Sequence, residues 1–337
     1  RYDAFTRTIY TQYRSAFDRT LAAALGILLV LFALSLVMGE GALRNRGAYH
    51  RLGSGAARQA ALTRLGHWRW LAIAFCPLIP LLALGVPIAT LIYWIVTGSS
   101  TGEQLHNLPH AALNSVMVGL YTAGAATLAA LPVAILAVRY RRFFFSRMIE
   151  RISYLGYALP GIVIALSFVF LGARYLTPIY QTLGLMVFAM AVRFIPQGIG
   201  AARTSLLQVS PRLEESSRSL GRSPISTLLR ITIPLAWPGI SVGAALVFLS
   251  VLKELPITLL LSPTGFDTLA TEIWSASESG AQGRAAVPAL LLIAISAIPT
   301  LLLAVRSARP AAREEGEPEQ ATVINRANAE GQLTLSA

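Results

Sequence analysis

The sequence predicts an all-α, polytopic membrane protein with about seven transmembrane helices. Three observations carry that expectation. The 337 residues are 55% hydrophobic and only 13% charged, with a mean hydropathy of +0.60, which is more apolar surface than a soluble domain of this size can hide. The apolar residues fall in runs of about 20, the length that crosses a hydrocarbon core as a helix. The net charge of +12 comes from arginines grouped in alternate linkers, the pattern of the positive-inside rule and not of a nucleic-acid-binding face.

The runs are Thr20–Gly39, Leu71–Val96, Ala112–Val138, Ile152–Leu171, Ile179–Ile199, Ile240–Leu261 and Val287–Val305. The linkers after the first, third, fifth and seventh are rich in arginine, including Arg44, Arg139, Arg203 and Arg306. Those between hold few: Thr97–His110 has none, and Arg174 and Arg284 stand alone in theirs. Arginine-rich linkers belong in the cytoplasm, so the segment before the first run lies outside despite its four arginines. Residues 1–40 and 71–306 thus form two membrane regions joined by a basic cytoplasmic linker, 41–70. The tail, 307–337, is polar and aperiodic, the composition of a disordered segment. Several runs contain proline, such as Pro132 and Pro160, which bends a membrane helix where neighbours cover the break.

A repeat joins the two ends. "YDAFTRTIY" from Tyr2 and "FDTLATEIW" from Phe266 share an aromatic, an aspartate (Asp3, Asp267), an isoleucine (Ile9, Ile273) and a closing aromatic. Each precedes a polar stretch and then an apolar run. Each aspartate is placed to cap a short helix at the outer surface. On this reading the chain starts near the end of one half and contains a second half whole; an unrelated extra helix is the alternative.

Between the fifth and sixth runs lies "SPRLEESSRSLGRSPISTLLRITIPLAWPG", Ser210–Gly239. Ser210 reads as an N-cap with Pro211 at the first helical position, and Glu214 and Glu215 sit in the first turn near the positive helix end. Gly221 can take the left-handed conformation that ends helices. Ser223-Pro224 repeats the start signal, a second short helix runs to about Arg230, and Ile233-Pro234 closes it. The result is a rigid elbow.

Glu215, Gly221, Ile231 and Pro234, at this spacing, resemble the EAA loop of ABC importer membrane subunits, and the likeness runs from about Leu71 to Val305. Ser216 and Ser217 stand where that family usually has alanines, and Ile233 where leucine is usual. The resemblance implies a type I ABC importer transmembrane domain in a bacterial inner membrane. It implies that Glu214, Glu215, Ser216, Ser217, Gly221, Ile231 and Pro234 form a coupling loop that docks on a cytoplasmic ATPase subunit. ATP and Mg would be held on that partner, with no cofactor in this chain, and substrate would arrive from an extracytoplasmic binding protein. "LKELPITLLLSPTGFDTLATEIW", Leu252–Trp274, is similar to ferric-iron permeases, in which two such halves are fused and the absent first half is a further partner. Permeases for thiamine, polyamines or phosphonates share the architecture. An ion-gradient-driven secondary transporter is the alternative from another class.

Lys253 and Glu254 sit near the outer end of the sixth run. Either they line the translocation path, as ionisable groups at membrane depth do, or Pro256 ends the helix and they lie at the headgroups. Arg193 is placed to snorkel to the cytoplasmic interface. His106 and His110 are spaced one helical turn apart, but Pro109 between them disfavours a regular helix, no third ligand is near, and no metal site is expected. Cys76 lies in an apolar run as packing. No phosphate-binding G-x-x-x-x-G-K-[ST] loop occurs, so the chain is not expected to be an enzyme.

Overall fold

The computed structural model describes residues 5–14, 19–44, 66–98, 107–140 and 143–305. Asp3, His106, most of the basic linker and the tail lie outside them. Every regular element among the described residues is helical. In chain order they are α1 (Phe5–Arg14), α2 (Arg19–Arg44), α3 (Trp68–Thr97), α4 (Leu108–Arg139), α5 (Phe144–Ala158), α6 (Gly161–Tyr175), α7 (Leu183–Gln208), α8 (Pro211–Ser219), α9 (Pro224–Thr227), α10 (Ile233–Leu252), α11 (Pro256–Leu261) and α12 (Leu269–Glu278). α13 (Gln282–Val305) follows. Residues Arg1–Leu292 form one compact unit and Ile293–Ala337 another.

Each of the seven apolar runs is largely helical, but among the described residues five helices are long and apolar enough to cross a membrane. These are α3, α4, α7, the continuous run Pro224–Leu252, and α13. Thr20–Leu36 and Gly161–Tyr175 are shorter apolar helices. The expected run Ile152–Leu171 is divided, because Leu159 and Pro160 leave the helix at ψ of 133° and 138°. Pro160 has no N–H to continue it, and the residue before a proline is pushed out of the helical region. The run Ile240–Leu261 also breaks: α10 ends at Leu252, and Pro256 starts α11. α4 begins regularly with Pro109 in its first turn, where the missing donor costs nothing.

The core is built from α4, α7 and α10. Ala123, Ala126, Ala130, Ala134 and Ala137 make a buried stripe along α4, with spacings of three and four that keep them on one face. A Cβ on Gly198 would meet Ala130, and one on Gly243 would meet Ala201. Small residues let these backbones approach closely, which is how helices associate where lipid removes the hydrophobic drive. α3 has no buried residue.

On the arginine-poor side, Ile9, Tyr10, Ala22 and Ile162 form a separate apolar cluster with Trp274 packed against it. The cap of α12 is Thr268 and not Asp267: Thr268 and Thr271 form a reciprocal capping box. The Asp267 carbonyl accepts instead from Asn114 Nδ2 at 2.9 Å, and Ser115 Oγ accepts from Leu269 N at 2.8 Å. These bonds hold the start of α12 on α4.

Candidate functional site: the elbow and the polar tie at two helix breaks

α8 and α9 form the elbow, and its corner follows from one glycine. Gly221 has φ +82°. Its N–H donates to the Arg218 carbonyl at 2.9 Å, and Arg222 N–H donates to the Ser217 carbonyl at 3.3 Å. This is a Schellman ending, which satisfies the last carbonyls of α8 and turns the chain. Ser223 then caps α9 by accepting from Ser226 N–H at 3.3 Å. Ser210 precedes α8 without a side-chain cap bond.

The second arm differs from the expectation of a short helix closed at Pro234. α9 passes through a π turn, Leu228–Thr232, directly into α10, and Pro234 is the second residue of α10. Pro234 has no N–H to give inside this continuous helix, and the π turn just before it is the one-residue adjustment that admits it. The elbow arm and the membrane helix are therefore one rod.

Glu214 fastens this rod. Its Oε1 accepts from Arg139 Nη2 at 2.7 Å and Nε at 3.1 Å, and from Thr232 Oγ1 at 2.8 Å. Arg139 Nη2 also donates to the Val209 carbonyl at 3.3 Å. One carboxylate oxygen thus joins the ends of α4 and α7 to both arms, and Arg139 sits at the negative end of α4, where a cation is favoured. Ser217 Oγ and Thr227 Oγ1 meet at 3.0 Å in a buried bond between the arms. Ser217 and Thr227 are both buried, so a side chain without a hydroxyl at either would leave the other's hydroxyl unpaired.

Of the residues singled out from sequence, Glu214 and Ser217 face inward, Glu215, Ser216, Gly221 and Pro234 are exposed, and Ile231 is half-buried. The roles of Arg139, Thr227 and Thr232 as partners within the elbow escaped the sequence reading. Glu214 and Ser217 are three apart on one face of α8, the one local signal for the inward side. Outward stand Leu220 at 83% and Ile225 at 70% exposure, with Leu213 at 49%.

A second polar cluster lies where two helices break. Arg193 Nη1 donates to Glu254 Oε1 at 3.2 Å, so the arginine in the middle of α7 is paired and does not simply snorkel. Glu254 is 6% exposed, its backbone carbonyl accepts from Thr258 Oγ1 at 2.7 Å, and its neighbour Lys253 is exposed. A Cβ on Gly161 would collide with the Arg193 guanidinium and the Glu254 carboxylate. Glycine at the start of α6 is what lets the ion pair lie against that backbone. The gap at Pro160 and the gap before Pro256 are thus joined by one ion pair across α7.

These features define a class, and comparison with known proteins names it. Residues 126–310 match the family of binding-protein-dependent transport system inner membrane components. The chain belongs to that family, as a multi-pass, non-catalytic component of an inner membrane. Among relatives, it is 35% identical to the Fe(3+)-transport system permease protein FbpB 2 of Haemophilus influenzae, over 90% of this chain and 60% of that protein. The chain therefore spans about 60% of that relative's length. It is 26% identical to a putative 2-aminoethylphosphonate transport system permease protein, PhnV, of Salmonella typhimurium, over 64% of this chain and 82% of that one. Among solved structures, the fold is that of a MetNI methionine ABC transporter chain, with a TM-score of 0.51 at 15% identity, covering 60% of this chain and 95% of that chain. It is also that of a bacterial ABC transporter involved in the import of alginate, with a TM-score of 0.53 at 17% identity, covering 72% of this chain and 96% of that one.

Proposed function

We propose that this chain supplies one complete membrane half, and the end of another, of an ATP-driven importer that carries ferric iron from an extracytoplasmic binding protein to the cytoplasm. It would cross the bilayer with about seven helices. The observation that carries this reading is the elbow: Glu214 ties its inner face to α4, α7 and α10, while Leu213, Leu220 and Ile225 stand outward. A surface held in this way passes a push into α10 instead of absorbing it. Cytoplasmic ATPase subunits, carrying ATP and Mg, dock on that surface, and their closure rocks one half against the other. The iron assignment is supported by the likeness to the Haemophilus influenzae permease over 90% of this chain. Lys253, exposed beside the break after α10, is assigned to the translocation path. Glu254 is engaged by Arg193 and takes a positioning role at the same depth.

The test uses the transporter containing this chain, reconstituted in proteoliposomes with its ATPase and binding protein, and measures ATP-dependent uptake of radioactive ferric iron. Gly221→Val forces a β-branched residue into the left-handed region, at a backbone cost of roughly 1–2 kcal/mol. Nothing lies within 4 Å of the added Cβ, so its effect is on the shape of the elbow alone. The expected result is lost uptake, with ATP hydrolysis no longer stimulated by loaded binding protein, whereas Gly221→Asn keeps both. Uptake driven by an ion gradient without ATP overturns the reading. ATP-driven uptake of thiamine, a polyamine or a phosphonate in place of iron keeps the mechanism and replaces the substrate.

A further inference from the structure

The two copies of the terminal repeat meet, and the place where they meet has a geometric meaning. α1 covers Phe5–Arg14 and α12 covers Leu269–Glu278. In the sequence repeat, each residue from Tyr2 to Tyr10 stands 264 positions before its counterpart in Phe266 to Trp274. In that register Tyr10 of α1 corresponds to Trp274 of α12. Tyr10 and Trp274, equivalent in the repeat, touch edge to face, with ring centroids 6.1 Å apart and planes at 86°.

When two halves are exchanged by a two-fold axis, residue and counterpart lie at equal distances on opposite sides of it. If the two touch, the axis runs between them. The Tyr10–Trp274 contact therefore marks the axis between this half and its sister, on the arginine-poor, outer side. A path lined by both halves runs along that axis.

We propose that Tyr10 and Trp274 form the closed outer gate of the translocation path. This rests on the importer reading above and adds the residues that shut it. Both rings pack in one apolar cluster with Ile9, Ile162 and Leu260, and apolar contact of this kind excludes water and hydrated ions. Trp274 and Leu259 also border a cavity of about 530 Å³ that Asp267, Thr271, Ser275 and Glu278 line. The indole supplies the means of release. Trp274 Nε1–H is buried and meets no acceptor among the described residues, so the closed contact leaves one donor unsatisfied. Separation of the rings exposes that donor to water, which offsets part of the cost of parting them.

The gate is tested in the reconstituted transporter with Cys76→Ser as background, Tyr10→Cys and Trp274→Cys together, and a short bis-methanethiosulfonate as bridge. The expected result is cross-linking in the resting state, loss of uptake, and recovery of uptake on reduction, with both single-cysteine proteins unaffected by the reagent. Absence of a cross-link in the resting state overturns the placement on the axis. A cross-linked protein that still transports overturns the gate. Trp274→Phe is the second probe: it keeps the ring contact, removes the unsatisfied donor, favours the closed state, and is expected to slow uptake while ATPase binding stays unchanged. Unchanged uptake in Trp274→Phe counts against the gate. Failure of the importer reading looks different, because the background protein itself then shows no ATP-dependent uptake before any reagent is added.

Discussion

α3 and α7 are two candidate spans with opposite fates. α3 has a mean hydropathy of 2.3 over its most apolar stretch and none of that stretch is buried. α7 reaches only 1.5, yet 56% of its stretch is buried. In water the more apolar helix would sit inside. In a bilayer the outside is hydrocarbon, so hydropathy decides whether a helix enters the membrane, and small or polar groups decide what it packs against. α7 carries Gly198, Ala202, Ser205, Gln197 and Arg193 toward its neighbours: Ser205 Oγ donates to the Ala236 carbonyl at 2.8 Å, and Gln197 Oε1 accepts from Ser250 Oγ at 3.0 Å. α3 offers Leu81, Leu84 and Ile79 outward, side chains that lipid accommodates as well as protein does.

The sharpest way to break this contrast is to remove the charge partner that α7 reaches. Glu254→Ala leaves the Arg193 guanidinium, 24% exposed, without its carboxylate. Loss of one partner from a buried pair costs about 3–5 kcal/mol, and the partial exposure of Arg193 places this case at the low end. Thermal unfolding in detergent should drop strongly, and Arg193→Met with Glu254→Met should recover most of the loss. A double variant as unstable as the single one would show that the pair is not what joins the two breaks.

A smaller effect separates the two helices directly. Gly198→Leu drives a side chain into Ala130, already 3.0 Å from a single added Cβ, and overpacking of this kind costs roughly 1–3 kcal/mol. Leu81→Ala in α3, a position 67% exposed, should leave detergent stability within about 0.5 kcal/mol of the parent. Equal losses in both variants would refute the division between packing faces and lipid faces.

The smallest effect lies outside the spans. Burial, and then the neighbouring Asp267 carboxylate, raise the Glu272 pKa above its ordinary 4.5, against a lowering by Arg284. A carboxyl whose folded pKa is raised favours the folded state when protonated, and that contribution is lost as pH rises through the folded pKa. Glu272→Gln should therefore be slightly more stable than the parent at neutral pH and indistinguishable from it below pH 4.5. A stability difference that stays constant across pH would assign the effect to packing instead.

The same division explains what could be read in advance. Apolar runs and the Gly221 corner are local patterns, and each found its helix or turn. The breaks at Pro160 and Pro256 were written in the prolines, yet a proline such as Pro132 sits inside α4 without ending it. Only the surroundings decide between a bend and a stop. The partners of Glu214 and Glu254 were out of reach for another reason. Arg139 lies 75 residues from Glu214 and Arg193 lies 61 from Glu254, and no periodicity links residues so distant. Glu215 belongs to the motif spacing, but the helical face of α8 gives Glu214 the inward position.

The π turn between α9 and α10 has one more consequence. A residue inserted into a helix shifts everything beyond it by about 100° around the axis. Leu228–Thr232 therefore sets the phase between two stretches of one rod, so that Ile225 and Leu229 present to solvent while Ala236 and Ile240 lie in the core. The turn acts as a spline between a handle and a shaft: torque passes through it, but the two ends need not share an angle.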